Sequence, residues 1–171
     1  MPERFAHLHL HSHYSLLDST IKIDELVRQV AALGMPAVAL TDHGNLFGAY
    51  EFYSATRKAG VKGILGCEVY VAPGGRRERS GNPHGANKPY HHLVLLAENQ
   101  RGWENLMSLV TSGYLEGFYH KPRIDKELLA ERADGLIALS ACMTGEPAAR
   151  VLNGDAAGAT RAAEEYREIL G

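Results

Sequence analysis

Four histidines recur at alternate positions in the stretch HLHLHSHYSLLD, residues 7–18: His7, His9, His11 and His13. An imidazole with an ordinary pKa of about 6.5 is mostly neutral at pH 7, and in that form it is a ligand for zinc, iron and related ions. If the segment is a strand, alternate side chains share a face, so the four imidazoles point one way and Leu8, Leu10 and Ser12 the other. A rise of about 3.3 Å per residue puts His7 and His13 roughly 20 Å apart, too far to grip one ion whose bonds to nitrogen are about 2.1 Å. His9 and His11, roughly 6.6 Å apart at Cα, can do so. They form the anchor pair of a metal site, while His7 and His13 read as solvated or supporting imidazoles. Interleaved leucines exclude an expression tag.

Other ionisable residues stand where the same chemistry could use them. Asp18 closes "SLLD", where a carboxylate either meets an ion or makes an Asx turn with Ser19 and Thr20. Asp42-His43-Gly44 follows the apolar run "PAVAL", and ionisable groups beside a core need something to neutralise them. His43 reads as a metal ligand and Asp42 as a residue behind it that orients an imidazole. Glu68 lies inside the apolar "LGCEVY", where an unpaired carboxylate is costly and a bridging role between ions accounts for it. His91 and His92 open "HHLVLLA"; with a period of two, one of them faces the cluster, and the residues leave both open. Cys142 reads equally as a ligand or as a small buried hydrophobe. In "KPRID", Asp125 caps a helix starting at Lys126, and Lys121 and Arg123 are candidate phosphate contacts.

These residues need a frame. Phe5–Leu10 reads as a strand, and 23–33 as an amphipathic helix stopped by Gly34 and Pro36. Residues 37–40 and 63–71 read as strands separated by a helix over 46–59 that ends at Gly60. The stretch 73–90 has no periodicity and is rich in glycine, proline and charge, so it is expected to be a flexible loop. Beyond it come a strand over 92–97, helices over 102–112 and 125–132, a strand over 136–139 and a helix over 155–170. Five strands alternating with helices predict an α/β fold with a parallel sheet or barrel, in which ligands collect at the carboxyl ends of strands. Asp42, His43, Glu68 and Cys142 all fall near such ends.

The chain's 171 residues suit one domain over 1–171, without repeats. Its 18 lysines and arginines against 20 acidic residues exclude a broad basic face, so any nucleic-acid contact is local. Nine histidines are enough to build a metal site. Cys67 and Cys142 have no C-x-x-C spacing, which fits a reducing, cytoplasmic setting. There is no long apolar run and no signal peptide, so no membrane role is expected.

Six segments in order, "FAHLHLHSHYSLLDS", "ALTDHGNLFGAYEFY", "GILGCEVYV", "HHLVLLAEN", "YLEGFYHKPRID" and "LIALSAC", resemble the PHP (polymerase and histidinol phosphatase) domain family, in the form found at the amino terminus of bacterial replicative DNA polymerase III alpha subunits. The resemblance runs from about Phe5 to about Gly145. It implies a distorted (β/α)7 barrel with up to three divalent metals, of zinc, manganese or iron type. It puts metal ligands at His9, His11, Asp18, His43, Glu68, His92 and Cys142, and so selects His92 over His91. The family draws two further ligands from an N-D-x-H type motif that has no match after Cys142. The expectation is therefore an incomplete barrel, a fragment without the polymerase domains.

The implied reaction is metal-assisted phosphodiester hydrolysis, 3′–5′ exonucleolytic proofreading at a DNA primer end, within a DNA-directed DNA polymerase. Implied partners are the rest of the polymerase chain and other replisome subunits. The rival reading is an inactive module that stabilises the polymerase and binds partners, with metal as a folding staple. A free-standing phosphatase fits "KPRID" and "GNLFGAYEFY" less well.

Overall fold

The computed structural model describes residues 5–82 and 88–171. Helix α1 (Ile23–Ala32) buries Ile23, Leu26, Val27 and Val30, the i, i+3, i+4, i+7 stripe of an amphipathic helix. Gly34, at φ 68°, ends it and lets the chain turn into strand β1 (Ala37–Leu40), which is buried throughout. Helix α2 (Ala49–Ala59) stops at left-handed Gly60 and feeds strand β2 (Lys62–Val71). Strand β3 (His91–Ala97) leads to helix α3 (Gln100–Leu115), capped by Asn99 Oδ1, which accepts from Gly102 N–H. The short strand β4 (Arg123–Ile124), helix α4 (Lys126–Glu131), strand β5 (Leu136–Leu139), helix α5 (Glu146–Leu152) and helix α6 (Ala156–Leu170) complete the order. Asp125 caps α4 as expected, and Asp155 caps α6 in the same way.

The strands lie in the order β1-β2-β3-β5, with β4 against β2, as an open sheet rather than a closed barrel. This fits the expected incomplete barrel, but the sheet is mixed where a parallel one was expected. β1 and β4 run parallel to β2, whereas β3 is antiparallel to both β2 and β5. The cause is the connection between β2 and β3. A parallel return needs a crossover, usually a helix, and the described parts of 72–90 contain none.

One further expectation fails. Residues 5–10 bend at Leu8 and His9 and do not form a strand; they touch β1 and the residue after it through one bridge, His7 to Val38, and through Ala39 N–H and Thr41 N–H donating to the carbonyls of His7 and Leu10. Leu10 N–H goes to the hydroxyl of Thr41, a side-chain bond standing where a ladder bond would run. The described part of 73–90 makes several polar contacts with the rest of the fold. Arg76 pairs with Asp125 at 3.0 Å and with Glu116 at 3.0 Å, and Arg123 donates to the carbonyls of Arg76, Glu78 and Pro89. Residues 83–87 of that expected loop lie outside the described residues.

Period-two alternation splits the sheet into two chemistries. Cys67, Val69 and Val71 of β2 and Leu93 and Leu95 of β3 face a core built with Leu106 and Leu109 of α3, Leu128 and Leu129 of α4 and Tyr166 of α6. Glu68 and Tyr70 of β2 face the other way, with His92 and Val94 of β3 as their register partners. Val94 packs with Ala39 and Leu96 in a small apolar layer of its own.

Candidate metal centre

Glu68 stands in the middle of this second face with only 1% of its area exposed. Its Oε2 lies 2.6 Å from His9 Nε2 and 2.9 Å from His11 Nε2, and its Oε1 lies 2.5 Å from His92 Nδ1. His43 Nδ1 stands 3.6 Å from Oε2, and Asp18 Oδ2 is 3.7 Å from His43 Nε2. The rings of His11 and His43 stack at 4.1 Å. Three separate stretches of chain, 9–11, 43 and 92, thus converge on one carboxylate, and Asp18 joins through His43.

Local structure explains each placement. His43 follows β1 and is bridged to Glu68, and Gly44 behind it has φ 61°. A Cβ there would stand 2.8 Å from the Tyr70 ring, so only glycine lets the chain turn so close to β2. His92 and not His91 faces Glu68, because Tyr70 and His92 are register partners. His91 is turned away towards Glu146 and Thr144, and burial lowers its pKa. Asp18 follows Leu17, a leucine held at φ 73°, and its side chain stays 59% exposed.

Asp42, expected to orient an imidazole, holds the neighbouring serines. Its Oδ1 accepts from Ser12 N–H at 2.7 Å and Ser15 O–H at 2.6 Å, and its Oδ2 from Ser12 O–H at 2.8 Å. It fixes the backbone beside His11 instead of touching a ring. Cys142 is exposed; its Sγ lies 2.8 Å from Thr144 Oγ1, 3.7 Å from His92 Nδ1 and 3.9 Å from Glu68 Oε1, at the margin of the cluster. His7 packs on Phe5, and His13 turns to Tyr14 and the Ile21 carbonyl, so neither joins it.

The two candidate phosphate contacts part company. Arg123 is buried, and its guanidinium donates to the carbonyls of Gly117, Pro89, Arg76 and Glu78. With those donors committed and no solvent access, it braces the 73–82 segment and does not present itself to a phosphate. Lys121 is exposed, with Nζ 5.5 Å from the centre of the Tyr70 ring. Tyr70 in turn contacts His43 and His92 at 6.1 and 5.1 Å between ring centres. Tyr70 was not singled out in the sequence, although it stands two residues after Glu68 and so shares its face.

The electrostatics suit a cation. Burial works to raise the Glu68 carboxyl, but hydrogen bonds from His11, His9 and His92 outweigh it and hold the group far below the usual carboxylate range. Burial pushes His43 down to about 4, so its ring is neutral at pH 7. For His11 burial acts downward too, and the bond and charge of Glu68 overcome it and raise the imidazole. Nδ1 of both His11 and His43 is shielded from solvent and makes no hydrogen bond. Buried polar atoms without partners are costly, and beside a deprotonated carboxylate the His43 nitrogen fits a divalent ion, while His11 faces the same carboxylate through Nε2. Two groups can hold one, His9-His11-Glu68 and His43-Glu68-His92, the ligand atoms of each lying within 4.8 Å of one another. Both share Glu68.

An open α/β sheet with histidines of three segments around one buried glutamate defines a metal-binding domain, and the chain matches the PHP domain over residues 7–171. It belongs to that family. Its relatives include proteins named DNA polymerase III subunit alpha: that of Treponema pallidum is 48% identical over 98% of this chain, that of Aquifex aeolicus 45% over all of it, and that of Thermus aquaticus 50% over 84%. The chain spans 14%, 15% and 12% of those relatives' lengths. A solved amidohydrolase from Chromobacterium violaceum matches 75% of this chain and 35% of its own at 26% identity, with a TM-score of 0.44. Among the described residues, no helix is long and apolar enough to cross a membrane.

Proposed function

We propose that this chain is the phosphodiester-cleaving module of a replicative DNA polymerase alpha subunit, acting in the cytoplasm on the 3′ end of a primer. The observation that carries the reading is the shared Glu68, whose Oε2 faces His9, His11 and His43 and whose Oε1 faces His92. His9 and His11 would hold one ion with Oε2, and His43 and His92 a second with the same carboxylate. Asp18 extends the His43 side and Cys142 the His92 side. Zinc, manganese and iron all suit such mixed imidazole and carboxylate donors.

Bound divalent ions would supply an activated water at neutral pH and neutralise phosphate oxygens. The chain's own residues do the rest. Asp42, by gripping Ser12 and Ser15, keeps His11 pointed at Glu68. Lys121, exposed beside Tyr70, meets a phosphate oxygen as negative charge builds. In the net reaction the water oxygen bonds to phosphorus and the bond from phosphorus to the primer's 3′ oxygen breaks. The water gives up a proton, and the departing 3′ oxygen gains one.

The test is release of the terminal nucleotide from a 3′-mismatched primer with Mn²⁺ or Zn²⁺, beside a His9→Ala/His11→Ala variant. We expect the variant to lose roughly 100-fold or more in rate. Equal rates would refute the reading. One observation favours a second reading: the candidate ligands come from chain stretches spread over more than half the sequence, so an ion there would also staple the fold together. In that case the domain supports the remaining polymerase chain and other replisome subunits, metal raises the melting temperature, and the primer stays intact.

A further inference from the structure

The surface beside the candidate centre concentrates charge that the chain as a whole lacks. Segments 76–79 and 116–121 carry four cations that are not fully buried, Arg76, Arg77, Arg79 and Lys121, against two carboxylates, Glu78 and Glu116, with Arg76 also paired to Asp125, while acidic residues are in excess over the full sequence. The two segments are joined in space. Arg76 and Arg77 pair with the Glu116 carboxylate, and Arg79 donates to the Glu116 carbonyl at 3.1 Å. Arg77 is 74% exposed at its side chain, and neither Arg79 nor Lys121 forms an ion pair among the described residues.

Aromatic surface lies along the same ledge. Tyr114 and Phe118 are 41% and 51% exposed, with ring centres 6.2 Å apart and planes tilted by 32°. Tyr119 lies under the Arg123 guanidinium at 5.2 Å. His120, at φ 61°, makes a tight reversal closed by Tyr119 N–H donating to the Lys121 carbonyl, and this sets Lys121 against Tyr70. Strained backbone of this kind costs free energy and tends to stand where a side chain must be aimed. Pro122 packs into the space over Gly44, next to His43. The ledge therefore runs directly into the histidine cluster.

We propose that this ledge is a track for a single-stranded nucleic-acid end, with bases stacked on Phe118 and Tyr114 and phosphates against Arg77, Arg79 and Lys121. The inference rests on the phosphodiester-cleaving reading of the adjoining centre and adds the substrate's form. Exposed rings interleaved with cations, of which Arg79 and Lys121 form no ion pair among the described residues and Arg77 shares the Glu116 carboxylate, suit unpaired bases, because each base offers a π-face only when it is out of a duplex. The strand would pass over Tyr70 and bring its last phosphate to Glu68.

The experiment measures binding of a labelled oligo(dT) strand to the chain by fluorescence anisotropy, in EDTA so that nothing is cleaved, across a salt series. Phe118→Ala should weaken binding about ten-fold. Arg79→Gln should make the slope of log K against log salt shallower by about 0.7 for the lost phosphate. Both variants should unfold at the wild-type temperature and hydrolyse bis(p-nitrophenyl) phosphate with Mn²⁺ at the wild-type rate, since that small diester does not reach the ledge. The track is overturned if the wild type does not bind the strand, if both variants bind it unchanged, or if a blunt duplex binds as tightly. Should the wild type fail on the small diester, the catalytic reading falls, and the anisotropy comparison still decides the track.

Discussion

Glu68 and His92 stand on neighbouring antiparallel strands, one pleat apart on the same face, and meet at 2.5 Å between Oε1 and Nδ1. The other oxygen of the same carboxylate takes His9 and His11. His43 Nδ1 stands 3.6 Å from that second oxygen as well, so a single buried carboxylate gathers all four imidazoles, and the rest of the local structure keeps that arrangement in place.

Asp42 is the support closest to the cluster. Removing its carboxylate in Asp42→Ala leaves three buried donors of Ser12 and Ser15 unpaired and should cost roughly 3 kcal/mol in urea unfolding. Metal affinity should fall at the same time, by about 10-fold or more, because the backbone beside His11 loses its anchor. Stability lost without any loss of affinity would show that the loop holds its shape unaided.

Arg123 is predicted to be structural. Lys keeps the charge but cannot reproduce a planar fork aimed at several carbonyls, so Arg123→Lys should destabilise by roughly 2 kcal/mol and speed hydrogen exchange in residues 73–82. A wild-type exchange pattern would contradict the bracing role.

Much of this was legible in the sequence. Strands 37–40 and 136–139 and the helix stripe of Ile23, Leu26, Val27 and Val30 follow from apolar pattern, because burial on one or both faces leaves a direct trace. Glu68 and His43 were readable as costly groups in apolar surroundings. What the residues alone left open between His91 and His92 depended on register, which is fixed by pairing with Tyr70 and Val71 across the sheet. Strand β4 has two residues, too few to make a pattern, and Arg123 looked like a surface charge because three of its four carbonyl partners come from loops distant in sequence. The histidine alternation misled in detail. It assumed a regular strand, whereas the Thr41 hydroxyl interrupts the ladder at Leu10 and lets His7 and His13 turn elsewhere.

The acid limit of the fold should be set in part by carboxylates outside the centre. Burial acts to raise Glu146 from its ordinary 4.5, but Lys126 and Arg150 overcome this and lower it; burial opposes the shift at Asp125 as well, and the Arg76 and Leu128 N–H groups and the Arg76 guanidinium lower it below 3.8. A carboxyl depressed in the folded state gives stability that is complete above its unfolded pKa and lost as pH falls towards the folded one. Unfolding free energy from these groups should therefore hold down to about pH 4.5 and decline below it. In Glu146→Gln the decline should be shallower, and an unchanged slope would remove Glu146 from the account.

The most direct measurement is anomalous scattering from crystals grown with Mn²⁺ or Zn²⁺. The account predicts two peaks flanking the Glu68 carboxylate, one beside His9 and His11 and the other beside His43 and His92. Crystals saturated with either metal that show no peak within bonding reach of Glu68 would contradict it.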